Sequence, residues 1–195
     1  MVGPHLEDLS DATAAYFDEM LRLGADLMRL FALSLVIDEN HLTSMSRHPD
    51  SELNLNRYPK LGHLGAPRPG QFRIGPHCDY GCFAILDREP GVAGLQIQTR
   101  AGGWIDAPVY PGSFAINDGD LLARLTGERW RSTLHRVLPP SAEARSEALL
   151  SLAFFHEFDA DALVETLAPP IGGGAMFEPI IADDYIAAKY GAVTL

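Results

Sequence analysis

The stretch RIGPHCDYGCFAIL, residues 73–86, joins two short apolar runs typical of β-strands and places His77 and Asp79 two positions apart between them. Alternate residues of a strand lie on one face of its sheet, so the sequence predicts that these two side chains point the same way. A buried carboxylate beside an imidazole is costly unless something pairs with it. The stretch therefore predicts a site for a divalent cation.

Outside this stretch, the chain from about residue 52 continues to alternate between apolar and polar residues. Glycine- and proline-rich turns separate the apolar runs, and many short strands at this spacing are typical of a sandwich or a barrel. The strand-like runs are ELNLNRY (52–58), GLQIQ (94–98), WIDAPV (104–109), SFAIN (113–117), HRVL (135–138) and LLSLAFF (149–155).

Helical patterns flank these runs on both sides. Residues 11–35 carry apolar side chains at steps of three and four, which predicts an amphipathic helix capped by Ser10 or Asp11. A weaker pattern predicts a short helix around residues 38–44. One or two helical turns are expected at 120–127, and a final helix at 182–191, with Asp183 as its N-cap and Gly191 as its stop.

The length of 195 residues predicts a single domain. We expect a helical lead-in over residues 1–50, a β core over about 52–158, and a tail with a helix over 159–195. The formal net charge of -11 argues against nucleic acid as a partner. The apolar run within residues 20–37 is interrupted by charged side chains, so a membrane span is not expected. Only two cysteines are present, which favours a reducing, cytoplasmic compartment.

A third metal ligand must come from another part of the chain, and His135 in RSTLHRV (131–137) is the best candidate. It lies on a later predicted strand. Two histidines and one carboxylate on one side of a metal leave its other positions open for substrate and oxygen. This facial triad is typical of non-haem iron(II) oxygenases.

Several consecutive motifs, from HCDYGCFAIL (77–86) to SLAFFHE (151–157), closely resemble the C-terminal oxygenase domain of the isopenicillin N synthase-like family of iron(II)/2-oxoglutarate dioxygenases. The resemblance runs from about residue 10 to the end of the chain. It implies a mainly β fold, a double-stranded β-helix (jelly roll) with flanking N-terminal and C-terminal α-helices. It also implies His77, Asp79 and His135 as ligands of Fe(II).

The same resemblance assigns residues to 2-oxoglutarate. The family's NxYP element is matched by Asn56-Arg57-Tyr58-Pro59, which implies that the Tyr58 hydroxyl donates to a 2-oxoglutarate carboxylate and that Asn56 faces the same pocket. Ser151 matches the serine of the family's Arg-x-Ser pair. The alternative for Tyr58 is a strand tyrosine whose hydroxyl reaches solvent.

The chain departs from the family two positions before Ser151, where Leu149 replaces the arginine that would bind the distal carboxylate of 2-oxoglutarate. Arg145 is the nearest arginine on that side, but it would lie ~20 Å away along a continuous strand, so we interpret it as a loop residue. Arg73, on the strand that leads to His77, is a candidate substitute. The sequence therefore leaves the use of 2-oxoglutarate open.

The sequence thus predicts a non-haem Fe(II)- and 2-oxoglutarate-dependent dioxygenase that oxidises a C–H bond of a small organic substrate with O2, giving succinate and CO2. The alternatives are an Fe(II) oxidase with the same triad and no 2-oxoglutarate, a catalytically impaired jelly-roll binding module and, less favoured, a zinc hydrolase. Family members carry a longer N-terminal region that covers part of the jelly roll. We therefore expect exposed apolar surface and self-association.

Overall fold

The computed structural model describes residues 4–60, 67–91, 94–141, 146 and 148–193. Three α-helices and one 3-10 turn accompany ten strands in this part of the chain. In chain order they are α1 (Pro4–Ser34), the 3-10 turn (Thr43–Met45), β1 (Glu52–Tyr58), β2 (Ile74–His77), β3 (Phe83–Arg88), β4 (Leu95–Gln98), β5 (Trp104–Asp106), β6 (Ala115–Asp118), α2 (Asp120–Leu125), β7 (His135–Val137), β8 (Leu149–His156), β9 (Leu163–Val164), β10 (Ile180–Ile181) and α3 (Ala182–Val193).

Eight of the strands form two antiparallel sheets of four strands each, in the orders β1-β8-β3-β6 and β2-β7-β4-β5. Consecutive strands β2 and β3 belong to different sheets, so the chain crosses from one sheet to the other between His77 and Phe83. This arrangement is the jelly roll expected from the sequence, with helices at both ends of the chain. Among the described residues, no helix is both long and apolar enough to cross a membrane.

The main hydrophobic core lies between α1 and the outer face of the first sheet. Phe17 packs edge-on against Phe154 and Phe31 packs edge-on against Phe83, each with ring centroids 5.2 Å apart. Phe83 and Phe154 are both buried. Aromatic pairs in this geometry contribute beyond the burial of their area, so α1 is fixed to the sheet at two points about four turns apart on its apolar face.

Strand periodicity divides β3 between this core and the interior of the jelly roll. Phe83 and Ile85 are buried against the helix side, whereas Ala84, Leu86 and Arg88 line a cavity between the two sheets. The strand β8 is divided in the same way, with Phe154 in the core and alternate residues in the cavity. One apolar face therefore holds the fold together while the other face builds the site.

Some boundaries expected from the sequence are wrong. The helix α1 begins at Pro4, not at Ser10 or Asp11, because no glycine or proline interrupts residues 5–23. The expected helix at 38–44 is replaced by turns and a 3-10 turn that begins at Thr43. The helix α3 continues through Gly191 to Val193, because one glycine costs a helix only about 1 kcal/mol.

A candidate metal centre at the mouth of the jelly roll

The two histidines of the predicted triad face each other across neighbouring strands of the second sheet. His77 is the last residue of β2 and His135 is the first residue of β7, and the two are direct partners in the antiparallel pairing. Their ring centroids are 4.2 Å apart. Directly opposed residues of an antiparallel pair carry their side chains on the same face, which explains why residues so distant in sequence meet here.

Asp79 reaches the same point from a different type of structure than the one expected. The strand β2 ends at His77, and Asp79 lies in the connection that crosses to the first sheet. The expectation that both residues occupy one strand face is therefore wrong, although their side chains do converge. The crossing holds Asp79 in place, because Asp120 donates its backbone N–H to the Asp79 carbonyl at 2.8 Å.

The three side chains bring one nitrogen or oxygen each to a common point. The Nε2 atom of His77 lies 3.8 Å from Oδ1 of Asp79, and Nε2 of His135 lies 3.7 Å from the same oxygen. The candidate ligand atoms of the three residues all lie within 4.8 Å of one another. Two ligand atoms bound to one metal at about 2.1 Å cannot be more than about 4.2 Å apart. The two distances to Oδ1 of Asp79, 3.7 and 3.8 Å, lie just inside that limit.

Hydrogen bonds turn the correct nitrogen of each imidazole toward this point. The Nδ1 atom of His77 lies 2.8 Å from the Gly75 carbonyl oxygen, and Nδ1 of His135 lies 3.0 Å from the Thr133 carbonyl oxygen. A carbonyl only accepts hydrogen bonds, so Nδ1 carries the proton in both rings. The lone pair of each neutral ring is then on Nε2, as a metal requires.

The carboxylate of Asp79 is oriented in a similar way by Asn117. The Asn117 side-chain amide donates from Nδ2 to Oδ2 of Asp79 at 2.7 Å, which leaves Oδ1 turned toward the two histidines. The Asp79 side chain is only 9% exposed. In the sequence, Asn117 is only the last residue of a strand-like run, SFAIN (113–117). No local pattern could reveal the contact, because it joins β6 to a connection 38 residues earlier.

A second carboxylate lies near the centre without joining it. Glu157 accepts a hydrogen bond from the Cys82 backbone N–H at 2.9 Å. The pKa of Glu157 is raised to about 7, mainly by burial, while the hydrogen bond from Cys82 lowers it and the negative charge of Asp79 adds to the rise. A fraction of Glu157 is therefore protonated at neutral pH, which limits the negative charge beside the candidate ligands.

The interior of the jelly roll forms a cavity of about 560 Å³ that opens onto His77, Asp79 and His135. Both sheets contribute to its walls. Tyr58, Asn56 and Ser151, which the sequence had associated with 2-oxoglutarate, all line this cavity. Burial raises the pKa of the half-buried Tyr58 hydroxyl, and the positive charge of Arg73 offsets part of that effect. Tyr58 is thus a neutral hydrogen-bond donor at physiological pH.

These three residues lie in two neighbouring rows across the first sheet. Asn56 of β1 pairs with Ser151 of β8, and Ser151 pairs on its other side with Arg88 of β3. Tyr58 pairs with Leu149 in the adjacent row. Leu149 is buried and has 8% of its surface exposed. An apolar side chain thus occupies the position that the resemblance assigns to the family's arginine.

Neither Arg145 nor Arg73, the two arginines considered from the sequence for the distal carboxylate, is among the described residues that line the cavity. Arg145 lies outside the described residues. The Arg73 guanidinium stacks over the Tyr58 ring, with Cζ 4.7 Å from the ring centroid, and Arg73 is not among the described residues that line the cavity. Sequence reasoning missed Arg88, which does line it. The available signal was strand parity, since Arg88 follows Ala84 and Leu86 on the cavity face.

The fold and this donor set define a class of protein, the jelly-roll oxygenases with a facial His-Asp-His site. The sequence profile of the 2OG-Fe(II) oxygenase superfamily matches residues 40–157. The chain therefore belongs to the 2OG-Fe(II) oxygenase superfamily. The Fe(II) and 2-oxoglutarate of that family fit the donor atoms and the cavity described above.

Similar proteins agree with this assignment. Validamycin A dioxygenase of Streptomyces hygroscopicus subsp. limoneus is 38% identical over 184 residues, which are 94% of this chain and 50% of that protein. The 2-oxoglutarate-Fe(II) type oxidoreductase ppzC of Metarhizium majus (strain ARSEF 297) is 34% identical over 195 residues, with 96% of this chain and 50% of that protein covered.

Among solved structures, a full-length Neurospora crassa protein in complex with alpha-KG superposes with a TM-score of 0.84 at 29% identity. The match covers 94% of this chain and 57% of that chain. The present chain thus spans about half the length of the curated relatives it matches.

Proposed function

We propose that the protein is a non-haem Fe(II)- and 2-oxoglutarate-dependent dioxygenase that oxidises a C–H bond of a small organic substrate, with succinate and CO2 as co-products. The observation that carries the proposal is the convergence of Nε2 of His77, Nε2 of His135 and Oδ1 of Asp79. Their remaining polar atoms are already hydrogen-bonded. This set would hold Fe(II) through three ligands on one side and leave the other positions open.

When bound, iron and 2-oxoglutarate supply the activation of O2 and the oxidation of the substrate. The residues of this chain would bind and orient these two groups and shield them from water. His77 and His135 would ligate as neutral imidazoles, since Nδ1 holds the proton in each ring. Tyr58, Asn56 and Ser151 would donate hydrogen bonds to 2-oxoglutarate from one wall of the cavity, and the apolar residues of the opposite wall would exclude water.

The substrate is proposed to be a small molecule that enters the same cavity. The space of about 560 Å³ falls within the range of small-molecule sites. Tyr110, Phe114 and Ile116 contribute apolar surface to the wall between β5 and the start of β6. The relative named validamycin A dioxygenase also supports a small organic substrate.

The proposal is tested without oxygen by adding Fe(II) and then 2-oxoglutarate. We expect iron to bind in a 1:1 ratio and a weak visible charge-transfer band to appear on addition of the 2-oxo acid. His77→Ala should abolish iron uptake, because it removes one of three ligands. His41→Ala is the matched control, since His41 is exposed and distant in sequence from the triad. Retention of stoichiometric iron by the His77 variant would refute the ligand assignment.

A second candidate function is an Fe(II) oxidase that does not use 2-oxoglutarate. Leu149 is the observation that favours it, because it removes the arginine that the family uses for the distal carboxylate. The same experiment separates the two functions. Iron binding without the charge-transfer band would support the oxidase, and absence of iron binding would support a binding module.

We also propose self-association in a cytoplasmic, reducing compartment. Three large apolar side chains of α1 are exposed, namely Leu9, Leu30 and Leu33. Val36, two residues beyond the end of the helix, is 85% exposed. Cys78 and Cys82 are both free thiols. Light scattering across a concentration series would test the association, and a constant monomer mass would contradict it.

A further inference from the structure

The cavity that contains the triad also contains a fixed positive charge. Arg88, the last residue of β3, lines it together with His77, Asp79 and His135. Among the described residues of the cavity wall, Arg88 is the sole lysine or arginine and Asp79 is the sole acidic residue. The carboxylate of Asp79 is directed at the two histidines. The charge of Arg88 therefore faces a space that an anion can enter.

The groups that contact Arg88 hold it in place without neutralising it. Its Nη2 atom donates to the backbone carbonyl of Ala107 and, at 3.1 Å, to that of Pro108. Carbonyl oxygens carry no formal charge, and the ion pairs within the described part of the chain do not include Arg88. Burial lowers the pKa of the Arg88 guanidinium. A partly buried cation of this kind is stabilised by an anionic ligand.

The position of Arg88 in the sheet is next to that of the missing arginine. Arg88 is the direct partner of Ser151 across the β3–β8 pairing, so their strands are separated by about 4.8 Å. Leu149 lies two residues from Ser151 along β8, which corresponds to about 6.8 Å. Both positions flank Ser151 on the same face of the sheet. A guanidinium extended from either position can therefore reach the space above the Ser151 hydroxyl.

We propose that Arg88 binds the distal carboxylate of 2-oxoglutarate, in place of the arginine that Leu149 has replaced, with the Ser151 hydroxyl as a second donor. This inference rests on the proposed function, since it assumes that the cavity takes a 2-oxo acid. A guanidinium suits this role because its planar fork matches a carboxylate. The carbonyls of Ala107 and Pro108 fix the fork from the other side.

Arg73 is the competing arginine, and its contacts indicate a different role. Its guanidinium lies against the Tyr58 ring, 4.7 Å from the centroid. A cation over an aromatic face restrains the ring. Arg73 is therefore a positioning residue for Tyr58, and its substitution should weaken all 2-oxo acids alike without changing the preference among them.

The test compares two ligands that differ only at the distal end. Dissociation constants for 2-oxoglutarate and for 2-oxopentanoate, which has a methyl group in place of the distal carboxylate, are measured by calorimetry on the Mn(II)-loaded protein. We expect the unsubstituted protein to prefer 2-oxoglutarate by about 100-fold, because 2-oxopentanoate cannot form the charge pair between a distal carboxylate and Arg88. Arg88→Met should reduce this preference to a few-fold and leave 2-oxopentanoate binding nearly unchanged.

Two further variants make the result specific. Adding Leu149→Arg to Arg88→Met restores the family's arrangement and should recover most of the preference. Arg136→Met is the matched control, because Arg136 stacks over Trp104 at 3.9 Å and donates to Gln96, away from the cavity. This control should keep the full preference for 2-oxoglutarate.

The possible results separate the role of Arg88 from the proposed function. If Arg88→Met binds 2-oxopentanoate normally and still prefers 2-oxoglutarate by about 100-fold, the role of Arg88 is overturned while the proposed function stands. Loss of the preference in Arg73→Met but not in Arg88→Met overturns it as well and identifies Arg73 as the binding residue. If the unsubstituted Mn(II) protein binds neither 2-oxo acid, the proposed function itself fails.

Discussion

Gly24→Ala should destabilise the protein although alanine is the better helix former. Gly24 lies within α1 and faces the imidazole of His156 at the end of β8. A Cβ atom built at Gly24 would lie 2.3 Å from Nδ1, 2.7 Å from Cε1 and 2.9 Å from Cγ of that ring. Ordinary van der Waals contact begins near 3.4 Å, so the ring or the helix must move by about 1 Å.

The surroundings of His156 leave the ring little room for such a movement. His156 is 2% exposed, stacks on Phe83 with centroids 5.0 Å apart, and shares a hydrogen bond of 3.0 Å with the Ser46 hydroxyl through Nε2. Overpacking a well-filled core costs about 1–3 kcal/mol, and three short contacts place this case near the upper end. The gain in helix propensity returns about 1 kcal/mol. The net loss of stability should be about 2 kcal/mol.

Thermal and urea unfolding of the metal-free protein measure this loss. A chain of this length should lose about 4–8 °C in Tm for a net change of 2 kcal/mol. Gly191→Ala is the matched control, since Gly191 lies in α3 and its Cβ would meet nothing within 4 Å. The control should gain up to about 1 kcal/mol.

A double-mutant cycle with His156→Ala attributes the loss to the ring. Removing the imidazole opens the space that the new methyl group needs. The double variant should therefore lose less stability than the two single variants lose together, by 1 kcal/mol or more, which is about the coupling expected for residues in contact. Additive effects would show that the ring is not the obstacle. A Gly24→Ala protein as stable as the unsubstituted chain would refute the packing argument altogether.

Three further changes test other contacts. Burial lowers the pKa of His156 to about 4, so as the pH drops the unfolded chain takes up the proton before the folded protein does. Stability should therefore fall between about pH 6.5 and pH 4, by up to about 3 kcal/mol. The His156→Gln variant should lack this pH dependence in urea unfolding of the metal-free protein, and equal slopes for the two proteins would contradict the prediction. Asn117→Ala releases Oδ2 of Asp79 and should weaken metal binding by about 10–100-fold in chelator competition, and an unchanged affinity would contradict the orienting role of the amide. Thr126→Val leaves the Trp130 backbone N–H without its hydroxyl acceptor and should cost about 1–3 kcal/mol in thermal unfolding, whereas Thr126→Ser, which keeps the hydroxyl, should cost less.

The alternating strands and the glycine- and proline-rich turns predicted a sandwich or a barrel, and the resemblance to the family narrowed this prediction to the jelly roll. The sequence also identified the residues that converge, but not the way in which they do so. Asp79 was expected on a strand, whereas it lies in the crossing between sheets, which an alternating pattern cannot distinguish from a strand end. Asn117 and Arg88 were missed for another reason. The Asn117 contact joins β6 to a connection 38 residues earlier in the chain. For Arg88, strand parity alone does not show which face of β3 lines the cavity, because tertiary register sets that.

The strand β8 shows how one register serves both stability and binding. Its residues Phe154 and His156 face α1, while Ser151, Ala153 and Phe155 face the cavity. Substitutions on the helix side should therefore change the free energy of unfolding and leave ligand preference intact. Substitutions on the cavity side should do the reverse. Under the role proposed for Arg88, the same division lets a charge that is absent from β8 be supplied from β3, because neighbouring strands present their side chains to the same cavity, about 4.8 Å apart.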